Sequence, residues 1–155
     1  MNILFVCTGN TCRSPIAEGV LRDMATRKGL PYVALSAGLR AFPGMPVSPE
    51  SVDAARLLEP PVDISNHKAR LLKPEYMEAA DLVITMTDDL KIRVQQEFPA
   101  MMDKVYTLNE MAKEPGEVAD PYGASLAIYE ACAKQIQALI EKGLAFLESM
   151  NRLER

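Results

Sequence analysis

The sequence predicts an α/β fold in which a four-stranded parallel sheet carries helices on both faces. Short apolar runs alternate with segments of helical periodicity along the 155 residues, which is the pattern of successive βαβ units. The first run is apolar throughout, as expected of a parallel strand that is buried on both faces. This length suits one hydrophobic core, so we expect a single domain over residues 1–155.

Four runs bounded by turn residues are predicted strands, at residues 3–6, 32–37, 82–86 and 105–108. The first helix is predicted to begin with Ser14 as N-cap and Pro15 in the first helical position, and to end at Gly29. Apolar periodicity predicts further helices at residues 49–58, 74–80, 88–98 and 125–150. Glycine and proline mark residues 38–48 and 113–123 as the main loops.

Composition narrows the function classes. The net charge of −4 and the pI near 5.1 provide no basic face, so neither nucleic acid nor an anionic membrane is an expected partner. No signal peptide or membrane span is predicted, and three cysteines make no disulfide framework. We therefore expect a cytoplasmic protein.

The turn between the first strand and the first helix is the most informative segment. It reads CTGNTCRSP over residues 7–15. Gly9 and Asn10 tolerate left-handed backbone, so successive N–H groups can converge on one tetrahedral anion at a helix N-terminus, and Arg13 can bind two of its oxygens. The predicted phosphate-binding residues are Thr8, Gly9, Asn10, Thr11, Cys12, Arg13 and Ser14.

Cys7 begins this turn and would face the bound anion from below. The helix N-terminus and Arg13 favour a thiolate there, and Ser14 can donate a hydrogen bond to the sulfur. These features indicate a nucleophile. The alternative is a small apolar side chain buried at the end of a strand.

With these residues the chain resembles the low-molecular-weight protein tyrosine phosphatase family. The resemblance extends to SAG at 36–38, ISNHKAR at 64–70, ADLVITM at 80–86 and DPYG at 120–123. It implies a sheet in the order 2-1-3-4, no metal or other cofactor, and phosphoryl transfer through a phosphocysteine. Phosphorylated proteins would be the substrates and inorganic phosphate a product. It also implies that Cys7 is the nucleophile, Arg13 binds phosphate and Asp120 is the general acid.

Chemistry independently supports an acid at this place in the loop. The leaving atom must be protonated as its bond to phosphorus breaks, and a carboxyl group above the turn can supply that proton. Aspartate is also common in loops for structural reasons, so Asp120 has a structural alternative.

The other two cysteines and the histidine complete the candidate residues. Cys12 could resolve an oxidised Cys7 as a reversible disulfide, or could be a weak hydrogen-bond partner within the loop. Cys132 lies on the apolar stripe of the last helix and is expected in the core. For His67, the sole histidine, the resemblance implies a supporting hydrogen-bond network with Asn10, Ser14 and Ser36.

Two positions bear on the substrate. Tyrosine-specific family members usually carry a bulky aliphatic residue at the position of Thr11 and two aromatics after Asp-Pro. Here Tyr122 is followed by Gly123, and the pattern resembles the protein arginine phosphatase branch. The Thr11 hydroxyl could orient the polar guanidino group of a substrate. The alternative is that this hydroxyl only makes a hydrogen bond to the backbone.

Three function classes are therefore compared. The first is a phosphatase acting on phosphoarginine, with phosphotyrosine as the alternative substrate. The second is an arsenate reductase, which needs a further cysteine pair where only Cys132 remains. The third is a phosphoresidue-binding module, which would not require both Cys7 and Asp120.

Overall fold

The predicted parallel sheet is present in the computed structural model, which describes residues 1–153. Its strands are β1 (Asn2–Cys7), β2 (Val33–Gly38), β3 (Leu82–Thr85) and β4 (Val105–Thr107). Their order is β2-β1-β3-β4, and each neighbouring pair is parallel. Both the fold class and the strand order are confirmed.

Helices connect and cover these strands on both faces. They are α1 (Arg13–Lys28), α2 (Pro49–Arg56), α3 (Pro74–Ala79), α4 (Asp88–Glu97), α5 (Leu108–Ala112) and α6 (Leu126–Leu153), with a 3₁₀ helix at Pro99–Lys104. At least one helix lies between each two successive strands. Parallel neighbours require such crossover connections, because a short hairpin can join only antiparallel strands.

The core is centred on β1, which lies between two other strands. Phe5 and Val6 are fully buried, and Leu4 is 2% exposed. Burying each side chain of this size contributes roughly 1.5–3 kcal/mol relative to leaving it in water. The site that follows β1 is therefore attached to a buried strand in the interior of the sheet.

The predicted start of α1 is wrong. The helix begins at Arg13, so Ser14 is its second residue and Pro15 its third, and the N-cap position is taken by Cys12 without a side-chain cap. Ser14 does not cap because its hydroxyl lies 2.9 Å from the Cys7 sulfur and accepts from Asn10 at 2.8 Å. The Ser14 hydroxyl therefore stabilises the turn and does not cap the helix.

The fourth strand is also shorter than predicted. Leu108 begins α5 instead of ending β4. Thr107 and Glu110 form a capping box, in which each side chain bonds the backbone of the other residue. The signal T-x-x-E was present in the sequence, but the apolar run through Leu108 obscured it. The 3₁₀ helix and α5 were not predicted.

Gly38 brings β2 against the turn that follows β1. It pairs with Cys7 in the sheet register. A Cβ at this position would lie 2.7 Å from Thr8 O and 2.8 Å from Asn10 N. Both atoms belong to the backbone, so neither can move without moving the turn. The space around Gly38 therefore sets the shape of the residues after Cys7.

We expect Gly38→Ala to distort this turn. The overpacked methyl group should lower the free energy of unfolding by about 1–3 kcal/mol and reduce any activity of the site by about tenfold or more, because catalytic groups are misplaced. Gly29→Ala is the control. Gly29 has a positive φ, but a Cβ added there would meet nothing within 4 Å, so the change should cost roughly 1 kcal/mol and leave activity intact. Equal activity losses in the two variants would contradict this account.

Candidate active site

The turn after β1 is shaped by a left-handed residue. Asn10 has φ 56°, a conformation that asparagine tolerates better than most side chains do. This turns its backbone N–H toward the Cys7 sulfur, to which it donates at 3.3 Å. Cys7 and Asn10 are both buried. The strained residue thus points a backbone dipole at the candidate nucleophile.

The Asn10 side chain holds this conformation in place. Its Nδ2 donates to Ser14 Oγ at 2.8 Å and to Ser36 Oγ at 2.9 Å. Its Oδ1 accepts from the Arg70 backbone N–H at 2.9 Å. His67 Nε2 lies 3.1 Å from both Asn10 Oδ1 and Asn10 O. The amide therefore joins β2, α1 and the 64–70 segment.

These contacts fix where the hydrogens are. The Arg70 backbone can only donate, so Asn10 presents its oxygen there and its NH₂ to the two serines. Ser14 accepts from that NH₂, which leaves its own hydrogen for the Cys7 sulfur at 2.9 Å. His67 faces two acceptors and therefore carries its hydrogen on Nε2. The network therefore presents a hydroxyl donor to the Cys7 sulfur.

Arg13 supplies a buried guanidinium beside Cys7. Its side chain is 4% exposed, and Nη1 donates to the Val118 carbonyl at 3.0 Å. Its Nε is buried and has no hydrogen-bond partner within the described part of the chain. A buried N–H without a partner is costly. The residue is therefore suited to bind an anion in the pocket that it lines.

Asp120 and Tyr122 form the outer wall of that pocket. Asp120 Oδ2 lies 3.8 Å from Arg13 Nη2, and the Asp120 side chain is 52% exposed. The backbone N–H of Tyr122 donates to Asp120 Oδ1 at 3.1 Å. The Tyr122 ring is exposed at the mouth. The pocket has a volume of about 220 Å³ and is lined by Cys7, Thr8, Gly9, Thr11, Cys12, Arg13, Asp120 and Tyr122.

The loop that carries Asp120 is attached to the sheet two residues earlier. The backbone N–H of Val118 donates to Met86 O at 2.9 Å, at the end of β3. The carbonyl of the same residue accepts from Arg13. Val118 therefore connects the loop that carries Asp120 both to the residue after β3 and to Arg13.

The two other cysteines differ in their surroundings. The Cys12 sulfur lies 3.6 Å from Ser48 Oγ and 3.9 Å from the Tyr129 hydroxyl. Burial, with the nearby Cys12, raises the pKa of Tyr129 to about 12. Burial raises the pKa of Cys132 to about 11, so this thiol stays protonated and unreactive at neutral pH. Cys132 belongs to the core, as expected.

Sequence reasoning missed three parts of the site. Glu18 is buried beside Ser36, Arg70 supports Asn10 through its backbone, and the Val118 carbonyl holds Arg13. The contacts of Arg70 and Val118 are made by backbone atoms, so the residue types at these positions do not predict them. Glu18 could have been noticed from the sequence, because it is the one charged residue in the otherwise small and apolar run Pro15–Leu21.

Comparison with known proteins identifies the family. A family model described as low molecular weight phosphotyrosine protein phosphatase matches residues 2–153. The chain belongs to this family. Within the described residues no helix is long and apolar enough to cross a membrane. Among residues 1–153, no group of three or more His, Cys, Asp or Glu side chains is placed to hold a metal ion. That the protein works without a metal stays a prediction.

Individual relatives carry two kinds of name. A protein-arginine-phosphatase of Bacillus subtilis is 41% identical over 92% of this chain and 93% of its own. A probable low molecular weight protein-tyrosine-phosphatase, EpsP of Ralstonia nicotianae, is 38% identical over 87% of this chain and 88% of its own. A solved structure of the YwlE arginine phosphatase with a phosphorylated active-site serine has a TM-score of 0.91 at 38% identity, with 99% of both chains covered. The protein is a protein phosphatase.

The environment of His67 predicts a pH effect on the phosphatase. Burial lowers the pKa of His67 below its ordinary value of 6.5, although Glu18 and the Asn10 carbonyl favour the charged form. The folded state then binds the proton less readily than the unfolded state. The neutral form stabilises the fold above about pH 6.5, and this contribution is lost as the pH falls through the lowered pKa of His67.

Chemical denaturation of the wild type and of His67→Gln at about pH 7.5 and pH 5 tests this effect. Glutamine keeps a donor toward Asn10 but does not titrate. We expect the wild type to lose more unfolding free energy than the variant between the two pH values. Equal losses would show that His67 is not the titrating group.

Proposed function

We propose that the protein hydrolyses phosphoarginine in proteins, with Cys7 as nucleophile, Arg13 as phosphate ligand and Asp120 as general acid and base. The observation that carries this proposal is that these three side chains line one pocket, together with Thr11 and Tyr122. The name of the Bacillus subtilis relative supports the choice of substrate.

The first half of the reaction moves the phosphoryl group to sulfur. The Cys7 thiolate attacks phosphorus opposite the guanidino nitrogen, so the P–S bond forms as the P–N bond breaks. The bonding electrons go to that nitrogen, and Asp120 donates the proton that the nitrogen needs. Arg13 and the backbone N–H groups of residues 8, 9 and 11–14 stabilise the equatorial oxygens of the transferring group, while the Asn10 N–H donates to the Cys7 sulfur.

The second half restores the enzyme. Asp120, now ionised, takes a proton from a water molecule that attacks phosphorus. The P–S bond breaks, its electrons return to Cys7, and inorganic phosphate forms. The Ser14 hydroxyl, which lies 2.9 Å from the sulfur, stabilises the departing thiolate. No metal or organic cofactor takes part in the proposed cycle.

Selection of the substrate occurs at the rim, because the three reacting groups could process either phosphoresidue. The rim offers a hydroxyl from Thr11 and one exposed ring, Tyr122. A guanidino group has N–H donors that this hydroxyl can accept from. A phenyl ring would leave the hydroxyl unpaired at a cost of about 1–3 kcal/mol. This favours phosphoarginine.

Phosphotyrosine is the second candidate, because relatives such as EpsP are named tyrosine phosphatases. Tyr122 could pack on a phenol ring as one wall. Arsenate reduction is disfavoured, since it needs further reactive thiols and Cys132 is buried with its pKa raised to about 11. We place the enzyme in the cytoplasm, where its three free cysteines would stay reduced, and we propose neither nucleic acid nor membrane as a partner.

Cys12 is proposed as the thiol that protects Cys7 from oxidation. Peroxide converts the Cys7 thiolate to a sulfenic acid, and the Cys12 thiol then attacks that sulfur and releases water. The new S–S bond is opened by an external thiol, which restores both cysteines. Cys12 is buried at the start of α1, and its sulfur makes only long contacts of 3.6–3.9 Å with its neighbours. These contacts restrain the sulfur only weakly.

Replacing Thr11 tests the substrate proposal. We expect the wild type to prefer phosphoarginine over phosphotyrosine in matched peptides, and Thr11→Ile to shift the ratio of kcat/KM values toward phosphotyrosine by roughly 5- to 150-fold. Thr11→Val removes the hydroxyl without adding bulk, so it should show only the loss on phosphoarginine. Cys7→Ser should be inactive on both. A wild type without preference, or a ratio unchanged in Thr11→Ile, would favour a tyrosine phosphatase.

Peroxide treatment tests the role of Cys12. The wild type should lose activity reversibly, recover it with a thiol reductant and contain a Cys7–Cys12 crosslink in peptide mass maps. Cys12→Ser should recover much less, because its Cys7 proceeds to irreversible acids. Cys132→Ser is the control and should behave like the wild type. Full recovery of Cys12→Ser would remove Cys12 from this role.

A further inference from the structure

Glu18 is a buried carboxylate that the proposed reaction does not use. It lies on α1, is 5% exposed and does not line the catalytic pocket. Its Oε1 accepts from Ser36 Oγ at 2.7 Å. Its Oε2 is paired with Arg22, and Arg70 lies 3.6 Å from Oε1. A carboxylate is costly to bury, so its place behind the active-site turn needs a reason.

We infer that Glu18 is a positioning residue, which sets the direction of a hydrogen-bond chain that makes Ser14 a donor to Cys7. The chain runs from Glu18 through Ser36, Asn10 and Ser14 to the sulfur. This inference rests on the proposed role of Cys7 as nucleophile.

Each link in the chain has a fixed direction. Arginine side chains and the Ser36 hydroxyl face both oxygens of Glu18, so the carboxylate accepts on both sides. Ser36 has one hydrogen and gives it to Glu18, which leaves the Ser36 oxygen to accept from Asn10 Nδ2. The second Asn10 N–H goes to Ser14, and the Ser14 hydrogen is left for the sulfur.

Arg70 adds a second connection from Glu18 to Asn10. Its side chain faces Glu18, while its backbone N–H donates to Asn10 Oδ1. The carboxylate therefore acts on both ends of the Asn10 amide, since Ser36 contacts Nδ2 and Arg70 contacts Oδ1. This arrangement disfavours the flipped amide, in which Ser14 would no longer be left with a free hydrogen.

Glutamine cannot replace this carboxylate. Its oxygen could face Ser36 or Arg22, and its NH₂ would then oppose a donor on the other side. When the NH₂ faces Ser36, the Ser36 hydrogen loses its acceptor, and no carboxylate then fixes the direction of the Ser36 hydroxyl. We expect Glu18→Gln to weaken the donor to Cys7 and to slow alkylation of Cys7 by about three- to tenfold near neutral pH.

A simple charge effect has the opposite sign. Removing Glu18 leaves Arg22 and Arg70 less neutralised, and additional positive charge near the turn would favour the thiolate and speed alkylation. The sign of the change therefore separates the two accounts. Asp23→Asn is the matched control, because it removes one negative charge from the same helix at a residue paired only with Arg27 among the ion pairs described.

The experiment follows iodoacetamide labelling of the Cys7 peptide by mass spectrometry from about pH 5 to pH 9. Glu18→Gln should move the midpoint of labelling upward, Asp23→Asn should not, and the inhibition constant of inorganic phosphate should stay within about threefold. A merely structural role would weaken phosphate binding as well. Because labelling needs no substrate, its outcome is independent of the phosphoarginine assay.

Ser36→Ala breaks the same chain without a change of charge and serves if Glu18→Gln does not fold. It should also slow labelling, and adding Glu18→Gln to it should slow labelling no further. Faster or unchanged labelling in Glu18→Gln, a parallel loss of phosphate binding, or a further slowing in the double variant would each overturn the inference.

Discussion

A left-handed backbone turn at Asn10 gives the active-site loop its shape, and the side chain of the same residue holds that turn in place. The conformation costs roughly 1–2 kcal/mol for a residue with a Cβ. The amide bonds Ser14, Ser36, His67 and the Arg70 backbone, and each bond contributes about 0.5–1.5 kcal/mol. The hydrogen bonds of the Asn10 side chain therefore offset the strain of the Asn10 backbone. The same bonds leave a hydroxyl hydrogen for Cys7, so loop shape and sulfur chemistry have a common origin.

The sheet and most of the helices could be predicted because their signals are local. The apolar run of β1, the periodicity of α6 and the breakers around residues 38–48 each lie within one stretch of sequence. The errors occurred where two local signals competed. Ser14 looked like a cap but was taken by Cys7 and Asn10. Leu108 looked like strand but followed a capping threonine. Tertiary contacts decided the first case and local capping the second.

The site was partly predictable for a different reason. Cys7 and Arg13 could be recognised because their residue types suit anion chemistry within one short loop, whereas Asp120 was assigned through the resemblance to the family and the need for a proton donor. Val118 and Arg70 contribute backbone atoms, which any residue type would provide, so the sequence could not indicate them. Glu18 was visible as a charge on a buried helix face, yet its meaning depended on its contact with Ser36, which lies on β2.

Thr11 is held in the loop by its main chain rather than by its side chain. Its carbonyl accepts from the backbone N–H of Ser48, the N-cap of α2, at 2.9 Å, whereas its hydroxyl makes only a 3.8 Å contact with Cys12. A change of residue type at position 11 therefore leaves the loop's attachment intact. Under the role proposed for Thr11, one substitution at the rim can therefore change substrate preference while the backbone contact that holds the loop is kept.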